Sequence, residues 1–93
     1  MILSFRSPGT ERIWRREFSR KLPQDIQHVA LRKLRLLNNA AVLSDLRIPP
    51  NSRLEALTRD RLGQHSIRIN DQWRVCFRWT DGGPSDVEIV DYH

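Results

Sequence analysis

The last third of the chain alternates apolar and polar residues with a period of two, and that pattern leaves few folds open to it. Ile67 and Ile69 flank Arg68; Trp73, Val75, Phe77 and Trp79 alternate with Arg74, Cys76 and Arg78; Val87 and Ile89 alternate with Asp86 and Glu88. Successive side chains of a strand point to opposite faces, so the stretch predicts three strands of a sheet with one apolar face and one charged face. Turns at Asn70-Asp71-Gln72 and Asp81-Gly82-Gly83-Pro84 join them. Keeping the apolar residues on one face restricts the pairing to registers of matching parity. A three-residue first turn pairs Ile69 with Trp73 and Ile67 with Val75, which sets Arg68 directly opposite Arg74. In the second hairpin, pairing Trp79 with Val87 and Phe77 with Ile89 sets Arg78 opposite Glu88 and Arg74 opposite Tyr92, and registers slipped by two residues keep the same parity.

An apolar sheet face must be covered, and the N-terminal half supplies helices. Residues 2–5 read as a short first strand, followed by Ser7-Pro8-Gly9-Thr10, where Ser7 or Thr10 caps a helix. Trp14, Phe18 and Leu22 recur every four residues, which predicts one helix with a buried face along that length. Pro23 suits the first turn of a second helix, with Ile26, Val29, Ala30, Leu34 and Leu37 inward and Arg32, Lys33 and Arg35 on a basic side, weakening at Asn38-Asn39. Residues 44–53 contain two prolines and no sustained period, so they read as a long surface connection into a short strand at Leu54 to Leu57. Ninety-three residues leave room for one domain, 1–93, and the expectation is an α+β fold with two N-terminal helices packed on one face of a mainly antiparallel sheet.

Charge narrows the partners. Sixteen Lys+Arg against eleven Asp+Glu give a net +5, and fourteen of the sixteen are Arg, the side chain that grips phosphate bidentately. A polyanionic partner fits this balance, as does a merely solvated basic face. A lone cysteine, Cys76, and the lack of an apolar run long enough to span a bilayer or of a signal-peptide core make the cytoplasm the expected compartment, without membrane association.

Two arginines facing each other across a strand pair repel unless an anion lies between them. Arg68 and Arg74 therefore read as a phosphate clamp, or else as charges neutralised by acids such as Glu88. Asp91, Tyr92 and His93 follow an unbroken apolar strand with no polar tail, which suggests a docked end on the open, arginine-bearing face. Such a set suits cleavage of RNA by its own 2′-hydroxyl, which needs a base, cations at the phosphorus oxygens and an acid for the leaving 5′-oxygen, and no metal. His93 could be base or acid, Asp91 could orient it, and Tyr92 could stack on a base or position the phosphate. His28, His65 and the single cysteine have no metal-ligand spacing; Cys76, between two arginines, is either a thiol of lowered pKa or a small filler.

The stretch Arg53-Leu54-Glu55 to Gly63, then Ser66 to Arg74 with its Asn-Asp-Gln-Trp-Arg hairpin, and the ending Val87-Glu88-Ile89-Val90-Asp91-Tyr92-His93 closely resemble the HigB toxins of the RelE/ParE superfamily. The resemblance implies a curved antiparallel sheet with helices on one face. It also implies a ribosome-dependent endoribonuclease without cofactor that cuts messenger RNA, and a helix-turn-helix, HigA-like antitoxin that neutralises it and represses their operon at operator DNA. It assigns Arg74, Asp91, Tyr92 and His93 to catalysis; Arg68, by register, and Arg59, Arg61 and Arg78, by charge, are expected to hold RNA. Some members carry a histidine and a lysine before the hairpin, where this chain has Glu55 and Thr58. Rival readings are a ParE-like inhibitor of DNA gyrase and a basic module that only binds nucleic acid.

Overall fold

A computed structural model describes residues 1–47 and 52–91 of the chain. Helix α1 (Pro8–Trp14) starts at Ser7, whose Oγ accepts from Thr10 N at 3.3 Å, with proline at the first helical position, where a missing N–H costs nothing. It stops well before Leu22. Arg16 sits at φ 63°, Arg16 N donates to Ile13 O at 2.9 Å and Glu17 N to Arg12 O at 2.8 Å. Those two bonds with a left-handed residue between them are a Schellman cap, made here without the usual glycine. The expected helix through Phe18 is thus wrong, and Phe18 stands 55% exposed. The loop beyond is pinned by Gln27, whose Nε2 donates to Ser19 O at 2.8 Å and Leu22 O at 3.1 Å.

Helix α2 (Gln24–Asn39) follows Pro23, which serves as N-cap, and buries Ile26, Ala30, Leu34 and Leu37 as its spacing predicts. The surface connection expected over residues 44–53 is partly a 3-10 turn, Leu43–Arg47, with Leu46 fully buried and Asp45 accepting from Ala41 N and Val42 N at 2.9 and 3.2 Å. Residues 48–51 of that segment lie outside the described residues.

Strands β1 (Glu55–Ala56), β2 (His65–Arg68), β3 (Trp73–Thr80) and β4 (Gly83–Asp91) form one sheet in the order β1-β2-β3-β4, antiparallel throughout, giving an α+β architecture with the helices on one face. Ile67, Val75, Phe77, Val87 and Ile89 meet the α2 residues and Ile13 in a single core, with Trp73 and Trp79 partly buried at its margin. Asn70 Oδ1 accepts from Gln72 N at 2.9 Å and Trp73 N at 2.8 Å, which closes the first hairpin in the predicted register: Ile67 faces Val75 and Arg68 faces Arg74.

The second hairpin departs from the predicted register, by three residues next to the turn and by two beyond the bulge. Thr80 pairs with Gly83, so the turn is only Asp81-Gly82 and not the four residues expected, and Gly83 takes φ 130°. A two-residue turn pairs Trp79 with Pro84, whereas Val75 pairs with Ile89. An odd and an even residue can share the apolar face only if one extra residue intervenes. The register shift between Cys76 and Arg78 supplies it, with Asp86 at φ 52° and its N–H donating to Ser4 Oγ at 2.9 Å. Arg74 consequently faces Val90 rather than Tyr92, and Arg78 faces Ser85 rather than Glu88.

The expected first strand is a short parallel segment against β4: Leu3 N donates to Pro84 O, Val87 N to Ser4 O and Arg6 N to Val87 O, with Phe5 and Val87 bridged. Beyond Val87 the chain has turned into α1, and Thr10 Oγ1 takes over as acceptor for Ile89 N at 2.9 Å, in a fully buried position. Thr10→Val keeps the shape and removes that acceptor, leaving a buried N–H unpaired. We expect a loss of about 1–3 kcal/mol, measured as a lowered urea midpoint at unchanged slope.

Candidate functional site

The sheet face turned away from the helices carries the cations that the alternation predicted. Arg74 projects from the middle of the sheet, its side chain only 13% exposed. Its Nη1 donates to Ser66 Oγ at 2.9 Å and to Arg53 O at 3.5 Å, and its Nη2 to Glu55 Oε1 at 3.1 Å. Arg68, opposite it in register, is paired with Asp71 in the hairpin turn. Arg61, on the 3-10 turn Arg59–Arg61, donates from Nη1 to Gln64 Oε1 and Glu88 Oε1, each at 3.2 Å. Arg78 Nε lies 3.8 Å from Asp86 Oδ2, while its Nη1 lies so near Gly63 that a Cβ there would come within 2.8 Å. Gly63 also has φ 92°, a conformation that strains any residue with a side chain.

The repulsion between Arg68 and Arg74 is therefore relieved inside the protein, with a different acid for each cation. Glu88, the acid expected to do this, serves Arg61 instead. A carboxylate on a guanidinium fixes the plane of its five N–H groups, so pairing orients each of these arginines. Arg59 is exposed at the edge of this set and, among the described residues, bonds to none of it through its side chain.

The face is less open than expected. Ser66 and Cys76 have no exposed surface, although both belong to it. For Cys76, burial pushes the thiol pKa up, and it outweighs Arg61 and Arg74, which pull down, while Glu88 pushes up with burial. The activated-thiol alternative fails and the filler role stands.

Asp91 ends β4 opposite Trp73, its Oδ2 accepting from Gln72 Nε2 at 3.0 Å, so the strand end and the hairpin turn are tied together. Tyr92 and His93 lie outside the described residues. His65 faces Phe77 on the core side, its ring stacked at 6.2 Å between centroids and its buried Nδ1 without a hydrogen-bond partner, and His28 is exposed on α2. Among the described residues no group of three or more His, Cys, Asp or Glu is placed to hold a metal ion, and no helix is long and apolar enough to cross a membrane.

The residue that sequence reasoning undervalued is Glu55. It stood out only as an acid at about the place where related toxins carry a histidine, and the structure puts it on β1, opposite Ser66, with its carboxylate on Arg74.

Two helices on an antiparallel sheet whose outer face presents oriented arginines define a RelE-like toxin. A family model described as the RelE-like toxin of type II toxin-antitoxin system HigB matches residues 3–93. Over 83 residues the chain is 40% identical to Toxin HigB-1 of Vibrio cholerae serotype O1, covering 88% of this chain and 87% of that one. Over 69 residues it is 34% identical to an uncharacterized protein of Haemophilus influenzae, covering 74% and 68%. The chain belongs to the HigB-like toxin family of type II toxin-antitoxin systems, and membership implies a cognate antitoxin as partner.

Because burial raises the Cys76 pKa, the native thiol should resist a disulfide reagent at pH 8 and react at the ordinary rate once the protein is unfolded in urea. Full reaction of the folded protein within the mixing time would contradict the assigned burial.

Proposed function

We propose that the toxin is a ribosome-dependent endoribonuclease that cuts messenger RNA bound in the decoding site, without a metal cofactor, and so arrests translation and growth in the cytoplasm. The observation that carries this reading is the set Arg61, Arg68 and Arg74 on the outer side of the sheet, each hydrogen-bonded to its own carboxylate, Glu55 being the one on Arg74, with Arg78 3.8 Å from Asp86 beside them. Fixed cations stabilise charge as it gathers on the non-bridging oxygens of a phosphate without having to reorganise. In the reaction the 2′-oxygen attacks phosphorus and its proton passes to a base. The bond to the 5′-oxygen then breaks, that oxygen takes a proton from an acid, and a 2′,3′-cyclic phosphate remains.

Glu55 and His93 are the proposed proton carriers. Glu55, held on Arg74, is the proposed acceptor of the 2′-proton, which leaves His93 as the proposed acid for the leaving oxygen. Tyr92 is proposed to stack on a base, Asp91 to orient the chain end, and Arg59, at the rim, to hold flanking phosphate. The antitoxin is proposed to be a HigA-like helix-turn-helix protein that brings the pair to operator DNA.

Incubating the toxin with translating ribosomes and mapping messenger 5′ ends tests the reading. Discrete, ribosome-dependent cuts are expected, with Arg74→Ala and Glu55→Gln each slowing cleavage about 100-fold at near-normal stability for Glu55→Gln. Intact messenger together with inhibited DNA gyrase would replace the reading with the ParE-like one.

A further inference from the structure

Phe18, left outside by the early stop of α1, is the one aromatic ring among the described residues that stands exposed. A single exposed apolar side chain is ordinary on a protein surface, but this one is held out by the backbone on both sides of it. Glu17 N donates to Arg12 O at 2.8 Å. Ser19, itself buried, is bound at both backbone groups by Gln27: its N donates to Oε1 at 3.4 Å and its O accepts from Nε2 at 2.8 Å. The ring is thus preorganised in the position it occupies.

That position is the shared wall of two cavities. One, of about 480 Å³, runs along α2, with the buried Ile13 and the half-buried Leu31 in its lining and the exposed Arg16, His28 and Arg35 around it, together with Glu17. The other, of about 420 Å³, lies against α1, with the exposed Arg12, Arg20 and Lys21 around it and no acid. Both fall in the size range of ligand-binding recesses. Among the described residues none of Arg12, Arg16, Arg20, Lys21 and Arg35 is in an ion pair, whereas on the outer side of the sheet Arg61, Arg68 and Arg74 each have a carboxylate. Five cations facing one carboxylate across two adjoining cavities leave charge for an acidic partner to compensate.

An apolar lining under a cationic rim fits a segment with apolar side chains along one face and carboxylates along the other. Single-stranded RNA is held by successive aromatic rings, and this surface offers one. The partner that family membership supplies is an antitoxin. We propose that an acidic, amphipathic segment of the cognate antitoxin docks here, with apolar side chains on either side of Phe18 and carboxylates on the five cations. This docking surface goes beyond the nuclease reading and is independent of it, since affinity for the antitoxin is measured whether or not messenger is cut.

Titration of the full-length toxin with its purified full-length antitoxin tests the surface, using wild type, Phe18→Ala and a double variant carrying Lys21→Glu and Arg35→Glu, one change at each cavity. Phe18→Ala is expected to bind about 30-fold more weakly, as on removal of a central aromatic anchor, and to melt with wild type because the ring is exposed. The double variant is expected to bind about tenfold more weakly at low salt, mainly through slower association, with the deficit shrinking as salt is raised. Binding of an uncleavable, 2′-O-methylated single-stranded RNA should be the same for Phe18→Ala and wild type. Wild-type antitoxin affinity in both variants would overturn the docking surface. Unchanged antitoxin affinity with weakened RNA binding in Phe18→Ala would overturn it in favour of a nucleic-acid surface. If Phe18→Ala melts early, the double variant decides, because its altered side chains are exposed: wild-type affinity there overturns the surface by itself.

Discussion

Arg68 facing Arg74 across the β2–β3 hairpin is the constraint around which the rest of this structure is arranged. Like charges in direct cross-strand positions are destabilising, and here the pairing follows from parity together with the three-residue turn, which sets Ile67 opposite Val75. The chain meets it by giving each cation its own acid. Asp71 comes from the turn that the hairpin needs in any case, where Asn70 already binds two backbone N–H groups. Glu55 comes from β1, a strand of two residues whose pairing with β2 brings a carboxylate to Arg74. The minimal strand thus owes its place in the sheet to chemistry as much as to packing.

The same economy governs the far side of the site. The β4 bulge allows a two-residue turn and a continuous apolar face to coexist, and it moves Glu88 opposite Cys76, within reach of Arg61, and Asp86 near Arg78. Ser4 and Thr10, from the N-terminal segment and α1, supply side-chain acceptors to β4 where no strand can. The helices therefore cover one face and also finish the hydrogen bonding of the strand that carries Asp91.

Much of this was written in the sequence. Strict alternation over residues 67–79 gave the strands, the buried face and the first register correctly, because parity and a three-residue turn leave a single solution. The second register was not legible: it depends on Asp86 adopting a positive φ, and an aspartate gives no warning of that, as a glycine would. Arg16 hid the end of α1 in the same way, so that Phe18 looked like a core residue by spacing alone. Leu46 was lost within a proline-bearing stretch although a single 3-10 turn buries it. At the site, the arginine positions followed from parity, but their acids did not. Ion pairing across 19 residues, as between Glu55 and Arg74, leaves no periodic trace.

The central claim is that RNA lies on the arginine face and not on the helices, which with the α1 C-cap carry Arg12, Arg15 and Arg35 as an alternative basic surface. Arginine side-chain Nε–Hε spectra of the toxin, recorded while uncleavable single-stranded RNA is added, distinguish the two directly. The account predicts that the Arg68, Arg74 and Arg61 signals shift together while Arg12 and Arg15 stay in place. Shifts confined to the helix arginines, with the sheet arginines unmoved, would contradict it.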